Sequence, residues 1–251
     1  MDAVKESYDA RIYTITLNRP DKKNAMDSAL LEGLCAALKR ADGQSPHVIV
    51  IRGAGKAFCA GGDLVEFNES PDPGTRIDIM ADCLHQSIMI IRKTGAIVIA
   101  VVEGVAVGAG LGLSLACDLS LASKSAIMNL GYRRIGLTPD GGGSISLPRL
   151  IGAKRFNELY LFSSNINMTE ALALGLVNFI CDESEIDSKL ADIVNNLLAL
   201  PMETIGRLKH LVNNSMFFGL EEHLDMERQY VKELAEQPVF KERLASFFRR
   251  K

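Results

Sequence analysis

The chain has no apolar run long enough to cross a membrane. Its apolar stretches are broken by Gly, Asp or Ser well short of the roughly 18 residues a spanning helix needs. Asp2, Lys5, Glu6, Asp9 and Arg11 leave no apolar segment for a secretory signal. Charge of one sign is also lacking. The 28 basic and 31 acidic side chains give a formal charge of −3, which points to neither nucleic acid nor an anionic membrane surface. Cys35, Cys59, Cys83, Cys117 and Cys181 contain no Cys-x-x-Cys and are odd in number. They read as reduced thiols of a cytoplasmic protein, excluding a disulfide framework or zinc site. The four histidines are scattered and show no His-Glu-x-x-His, so no metal is expected. Nucleotide-phosphate motifs are missing as well. Leu113 stands where the dinucleotide pattern needs a third glycine, and Ala57 follows Gly55-Lys56 where a phosphate loop needs Ser or Thr.

What is present is a pair of glycine-studded loops, Lys56 to Leu64 and Gly104 to Gly112. Each follows an apolar run that reads as a buried strand, Val48–Ile51 and Ile97–Val102. Small residues after a strand let backbone approach a ligand and leave amide N–H groups unobstructed. Two such loops on neighbouring strands are able to aim two donors at one oxygen, the arrangement of an oxyanion hole.

Further elements are an alternating strand over Ile12–Leu17 and a helix over Ser28–Ala41 capped by Asp27 or Ser28. A second helix covers Met80–Arg92, another opens near Gly110, and a short strand covers Leu119–Ala122. The alternation predicts an α/β layer fold with mostly parallel pairing. The last third is helical, with starts near Ser188, Pro201, Gly219 and Pro238. The expected division is a core over 1–190 and a helical oligomerisation region over 191–251.

The two loops, with Leu17-Asn18-Arg19-Pro20 upstream and Gly136-Leu137-Thr138-Pro139-Asp140-Gly141-Gly142 downstream, resemble the crotonase family of enoyl-CoA hydratases and isomerases. The similarity runs from about Val4 to Lys251, and Gly136–Gly152 with Leu224–Tyr230 looks most like the isomerases of phenylacetate degradation. The resemblance implies a spiral of ββα units, a homotrimer or hexamer built on the helical tail, and acyl-CoA thioester substrates. Coenzyme A is then part of the substrate, and no separate cofactor is implied. The amides of Ala60 and Ala109 would bind the thioester oxygen. Lys23 and Ala25 would lie along the nucleotide, Ala60, Gly61, Gly62, Asp63 and Leu64 along the pantetheine arm, and Tyr132 and His85 around the acyl group. On residue type alone, Asp63 reads as the brace of its own loop.

The pattern breaks in one place. Hydratases of the family use two glutamates, and here those positions read Gly112 and Tyr132. Asp140 remains, at the point where the related isomerases carry a single acid/base. As a bare Pro-Asp-Gly it is equally a turn residue or helix cap. The function expected is an enoyl-CoA isomerase, the alternatives being a hydratase, a hydrolase or dehalogenase, or a catalytically silent acyl-CoA-binding protein.

Overall fold

Residues 2–249 are described in the computed structural model of the chain. Strand β1 (Val4–Asp9) turns through Ala10 and Arg11, at φ 47° and 69°, into antiparallel β2 (Ile12–Leu17). Helix α1 (Ser28–Gln44) starts at Asp27, whose carboxylate accepts the Leu30 amide, and leads to β3 (Val48–Gly53). Next come α2 (Leu64–Glu69), α3 (Pro73–Lys93), β4 (Ile97–Val102), β5 (Val105–Val107), α4 (Ala109–Ala116), β6 (Leu119–Ser123) and β7 (Ile127–Asn129). They are followed by α5 (Gly143–Ile151), α6 (Ala153–Phe162), β8 (Ile166–Asn167), α7 (Met168–Ala173) and β9 (Phe179–Cys181). The tail is α8 (Ile186–Leu198), α9 (Met202–Met216), α10 (Leu220–Ala235) and α11 (Pro238–Arg249).

One sheet has the order β1-β2-β3-β4-β6-β9 and is parallel except at β1–β2; a second joins β5, β7 and β8. The apolar runs of β3 and β4 follow from burial of both faces. Alternate residues point to opposite sides. Ile49, Ile51, Val98 and Ala100 join Leu34 of α1 and Leu84 of α3 in the main core, while Val48, Val50, Ile99 and Val101 meet Ile193 of α8 and Ile205 of α9. The α/β architecture expected from the alternation is the one observed.

Three details depart from the expected elements. The helix expected from Met80 begins at Pro73, where Asp72 accepts the Thr75 amide and proline fills the first position. Strand β1 was hidden because five of its six residues are exposed and carry no apolar alternation. The expected division at 190/191 falls inside α8, and residues 250 and 251 of the tail lie outside the described residues. Among the described residues no helix is long and apolar enough to cross a membrane.

A buried ionic knot ties α9 to the sheet. The Lys209 ammonium lies 2.8 Å from Asp118 and donates to the carbonyl oxygens of Ile91 (2.9 Å) and Ala96 (2.7 Å). Arg92 shares the same carboxylate at 3.1 Å. Removing one member leaves charge and carbonyls unpaired in the interior. Lys209→Met is therefore expected to lower unfolding free energy by about 3 kcal/mol, read from the midpoint of a urea titration.

Candidate active site

Both glycine loops leave the carboxyl ends of adjacent parallel strands, β3 and β4, where open α/β sheets place their ligands. They are then knitted together by backbone. Cys59 donates to the Val105 carbonyl (2.9 Å) and accepts from the Val107 amide (3.0 Å), so the first loop runs as a short extra strand beside β5. The contact leaves no room for side chains. A Cβ on Gly110 would stand 2.6 Å from the Cys59 carbonyl oxygen, and one on Gly61 would stand 2.8 Å from that of Val107. Gly61 also needs its glycine for a φ of 90°.

The same close approach brings the first loop to the amino end of α4. The hypothetical Gly61 Cβ lies 3.8 Å from the Ala109 nitrogen. Ala109 is the first residue of α4 and is buried, so its amide is one of the helix's unpaired donors, with the positive end of the dipole behind it.

The expected role of Ala60 is not compatible with its hydrogen bonding. Its amide donates to the Lys23 carbonyl at 3.0 Å, so the donor is already committed. Gly62 has the free geometry. Met26 donates to the Gly61 carbonyl (2.7 Å) and accepts from the Asp63 amide (2.8 Å). In such a parallel bridge the peptide groups of the middle residue, Gly62, face the opposite side.

Asp140 stands on the loop that packs against this helix. A Cβ on Gly141 would come within 3.8 Å of the Ala109 Cα, and one on Gly112 would lie 2.4 Å from the Gly141 carbonyl oxygen. The Tyr132 hydroxyl donates to the Asp140 carboxylate at 2.5 Å. Burial pushes the Asp140 carboxyl up to about 6, with the tyrosine bond opposing the shift. The residue as a whole is half-buried. Burial also holds the Tyr132 phenol well above its ordinary range, so it stays a donor.

The remaining candidates fall into two groups. Lys23 is exposed and Ala25 half-buried; the Lys23 carbonyl accepts the Ala60 amide of the loop, and the Ala25 carbonyl accepts the Arg19 guanidinium (2.5 Å). Asp63 is a brace. It caps α2 through the Val65 amide and pairs with Arg19 at 2.9 Å, so its expected substrate contact gives way to a structural one. Leu64 begins α2 and is half-buried. His85 is buried on α3, next to Leu84, whose side chain reaches to 3.0 Å of the hypothetical Gly141 Cβ. Neither ring nitrogen has a partner among the described residues, and burial lowers the imidazole to about 4, leaving it neutral. An open cavity of about 490 Å³ lined by Arg92, Leu197 and Phe217 contains none of these residues. Among the described residues no cluster of three His, Cys, Asp or Glu side chains is arranged to hold a metal ion.

Two supporting residues carried no local signal. Asn24 is fully buried and donates to the Ala57 carbonyl (2.6 Å) while accepting the Arg19 amide (2.8 Å), locking the entry to the first loop. Glu227 reaches from α10 to the Gly142 amide (2.8 Å), across 85 positions of chain.

The family model described as enoyl-CoA hydratase/isomerase matches residues 7–251. The 1,2-epoxyphenylacetyl-CoA isomerase of Escherichia coli is 28% identical over 98% of this chain and 95% of that protein. The 4-chlorobenzoyl coenzyme A dehalogenase-2 of an Arthrobacter species is 33% identical over 94% and 87%. Among solved structures, an enoyl-CoA hydratase from Bacillus halodurans superposes with a TM-score of 0.90 at 26% identity, covering 97% of this chain and 99% of that one. With a match over nearly its whole length, the chain belongs to the enoyl-CoA hydratase/isomerase family.

Proposed function

We propose that the chain is an enoyl-CoA isomerase in which Asp140 is the single acid/base and the amides of Gly62 and Ala109 form the oxyanion hole. The observation that carries this reading is the Asp140–Tyr132 pair, a carboxylate raised to about 6 on a loop seated against the amino end of α4. In the proposed step Asp140 takes a proton from carbon, and the C–H electron pair moves toward the thioester carbonyl. The two amides receive the resulting oxyanion, each worth roughly 3 kcal/mol of barrier. Protonated Asp140 then returns the proton two carbons away, so no atom is gained or lost. Hydration would call on two carboxylates, and Gly112 and Tyr132 supply neither.

The same proposal runs the coenzyme A portion along Lys23, Ala25, Gly61 and Leu64. It also includes self-association as a homotrimer or hexamer, which exposed Leu161, Phe162, Leu208, Leu211 and Phe218 support.

A second reading is favoured by His85, a neutral imidazole with both nitrogens unpaired one residue from Leu84. It suits attack of the Asp140 carboxylate on a substrate carbon whose leaving group departs as an anion, after which water opens the resulting ester and restores the carboxylate, as in a dehalogenase or hydrolase. Turnover in ¹⁸O-water separates the two. Isomerisation leaves product unlabelled, and incorporation of ¹⁸O overturns it.

Asp140→Asn is expected to slow double-bond migration about 10²–10⁴-fold while acyl-CoA binding persists. Unchanged turnover refutes the assignment, and a wild-type chain that binds enoyl-CoAs without turning any over identifies a silent binding protein. Asp140 works as a base only when ionised, so kcat/KM should rise through about pH 6 and level off above it. Tyr132→Phe removes the bond that lowers this carboxyl and should move the limb to higher pH. Because the folded-state value exceeds the unfolded one, ionised Asp140 costs stability that is lost as pH climbs through about 6. Asp140→Asn should therefore melt no lower than the parent at pH 8, with a gain below about 3 kcal/mol.

A further inference from the structure

The loop that presents Asp140 has glycine at 141, 142 and 143, with φ of 64° at Gly141 and 75° at Gly142. Such a sequence has little stiffness of its own. Its rigidity has to come from something that grips its backbone, and one side chain does so. The Glu227 carboxylate, on α10, accepts the Gly142 amide on one oxygen (2.8 Å) and the Ser144 amide on the other (3.0 Å). The Ser144 hydroxyl adds a third bond at 2.5 Å. Gly142 is the cap residue of α5 and Ser144 lies in its first turn, so Glu227 satisfies donors that α5's own residues leave unpaired. Neither Gly142 nor any neighbour supplies a local side-chain cap. The carboxylate is 3% exposed.

We propose that Glu227 is the positioning residue of the proposed reaction, a clamp delivered from the helical tail that holds the Asp140 loop in register with the oxyanion donors. This inference rests on the reading of Asp140 as acid/base. Its mechanical logic is direct. Asp140 and Gly142 are two residues apart, and the Tyr132 bond restrains only the Asp140 side chain and its carbonyl. Without Glu227, the amides of Gly142 and Ser144 lose their bonds to α10, and only the Ser144 hydroxyl keeps one, to His223. A misplacement of about 1 Å at a reacting group is enough to cost roughly 10²-fold in rate.

The clamp is anchored outside the site. Arg228, the next residue of α10, pairs with Asp78 at 2.8 Å and with Asp82, both on α3. Helix α3 also carries Leu84 against Gly141. The tail, α3 and the catalytic loop thus form one bonded unit. The charged and titratable groups that act on Glu227 are His223 on its own helix, 3.7 Å away, and, at longer range, Asp140 and Tyr132. His223 bonds the Ser144 oxygen at 2.7 Å, so the serine hydroxyl is held from two sides.

Glu227→Gln keeps the shape but puts an amide NH₂ against backbone N–H donors. The expected result is a 10- to 100-fold fall in kcat with KM for an enoyl-CoA within twofold. Glu227→Asp, which keeps the charge on a shorter arm, should recover part of the loss. In an Asp140→Asn background the Gln substitution should have almost no further effect, since it acts through that carboxylate. Amide exchange of residues 141–144 should accelerate in Glu227→Gln while the rest of the sheet is unchanged. An unaltered kcat, an equal loss in the Asp140→Asn background, or a rise in KM alone overturns the clamp. If Asp140→Asn proves as active as the parent, the acid/base reading fails instead, and the exchange result still reports whether Glu227 holds the loop.

Discussion

The site depends on one backbone pairing, the bridge between Cys59 and Ala106. Strands β3 and β4 are neighbours in the sheet, but neighbouring strands alone would let their following loops diverge. The two hydrogen bonds of Cys59 to Val105 and Val107 stop that divergence and carry Gly61 to the foot of α4. The glycines at 61 and 110 exist for this approach, since a methyl group at either would run into carbonyl oxygen. Fixed main-chain donors carry an advantage over side chains. Their orientation is set by the fold and does not have to be rebuilt as charge develops.

Asp140 illustrates how opposing effects set a buried carboxyl. Burial raises its carboxyl and the Tyr132 hydroxyl lowers it, burial winning. With neither, the group would stay at an ordinary carboxylate value and be a weak base; without the tyrosine bond it would lie higher still. A carboxyl raised to about 6 is ionised at neutral pH and a stronger base than an ordinary carboxylate, as the proposed acid/base role requires. Residues of Tyr132 and Asp140 type, eight apart in sequence, reach each other because the chain folds back between the short helical turn at Tyr132–Ile135 and α5.

Much of the framework was legible from the residues. The strands Val48–Ile51 and Ile97–Val102 announced themselves because both faces are buried, and the helix after Asp27 because its apolar spacing and cap agree. The short strands β7, β8 and β9 were not, since two or three residues carry no period. In the candidate site, the loops, Ala109, Asp140 and Tyr132 were singled out in sequence, but the bond between Tyr132 and Asp140 was not legible there. The choice between Ala60 and Gly62 was not legible, because it turns on which peptide plane faces Met26 and not on side-chain type. Asp63 read as a brace by residue type and as a substrate contact by resemblance, and its pairing with Arg19, 44 positions earlier, was not legible. Glu227 is one acidic residue among many on an amphipathic helix. Only the fold shows its three bonds to the far loop.

Gly112 has a consequence for how this scaffold can change. The space where a longer side chain would extend is filled by the Gly141 carbonyl oxygen, part of the very loop that presents Asp140. Installing a carboxylate at 112 would push that oxygen aside and carry Asp140 with it. Adding a second acidic group at this position therefore requires the loop that carries Asp140 to be rebuilt with it.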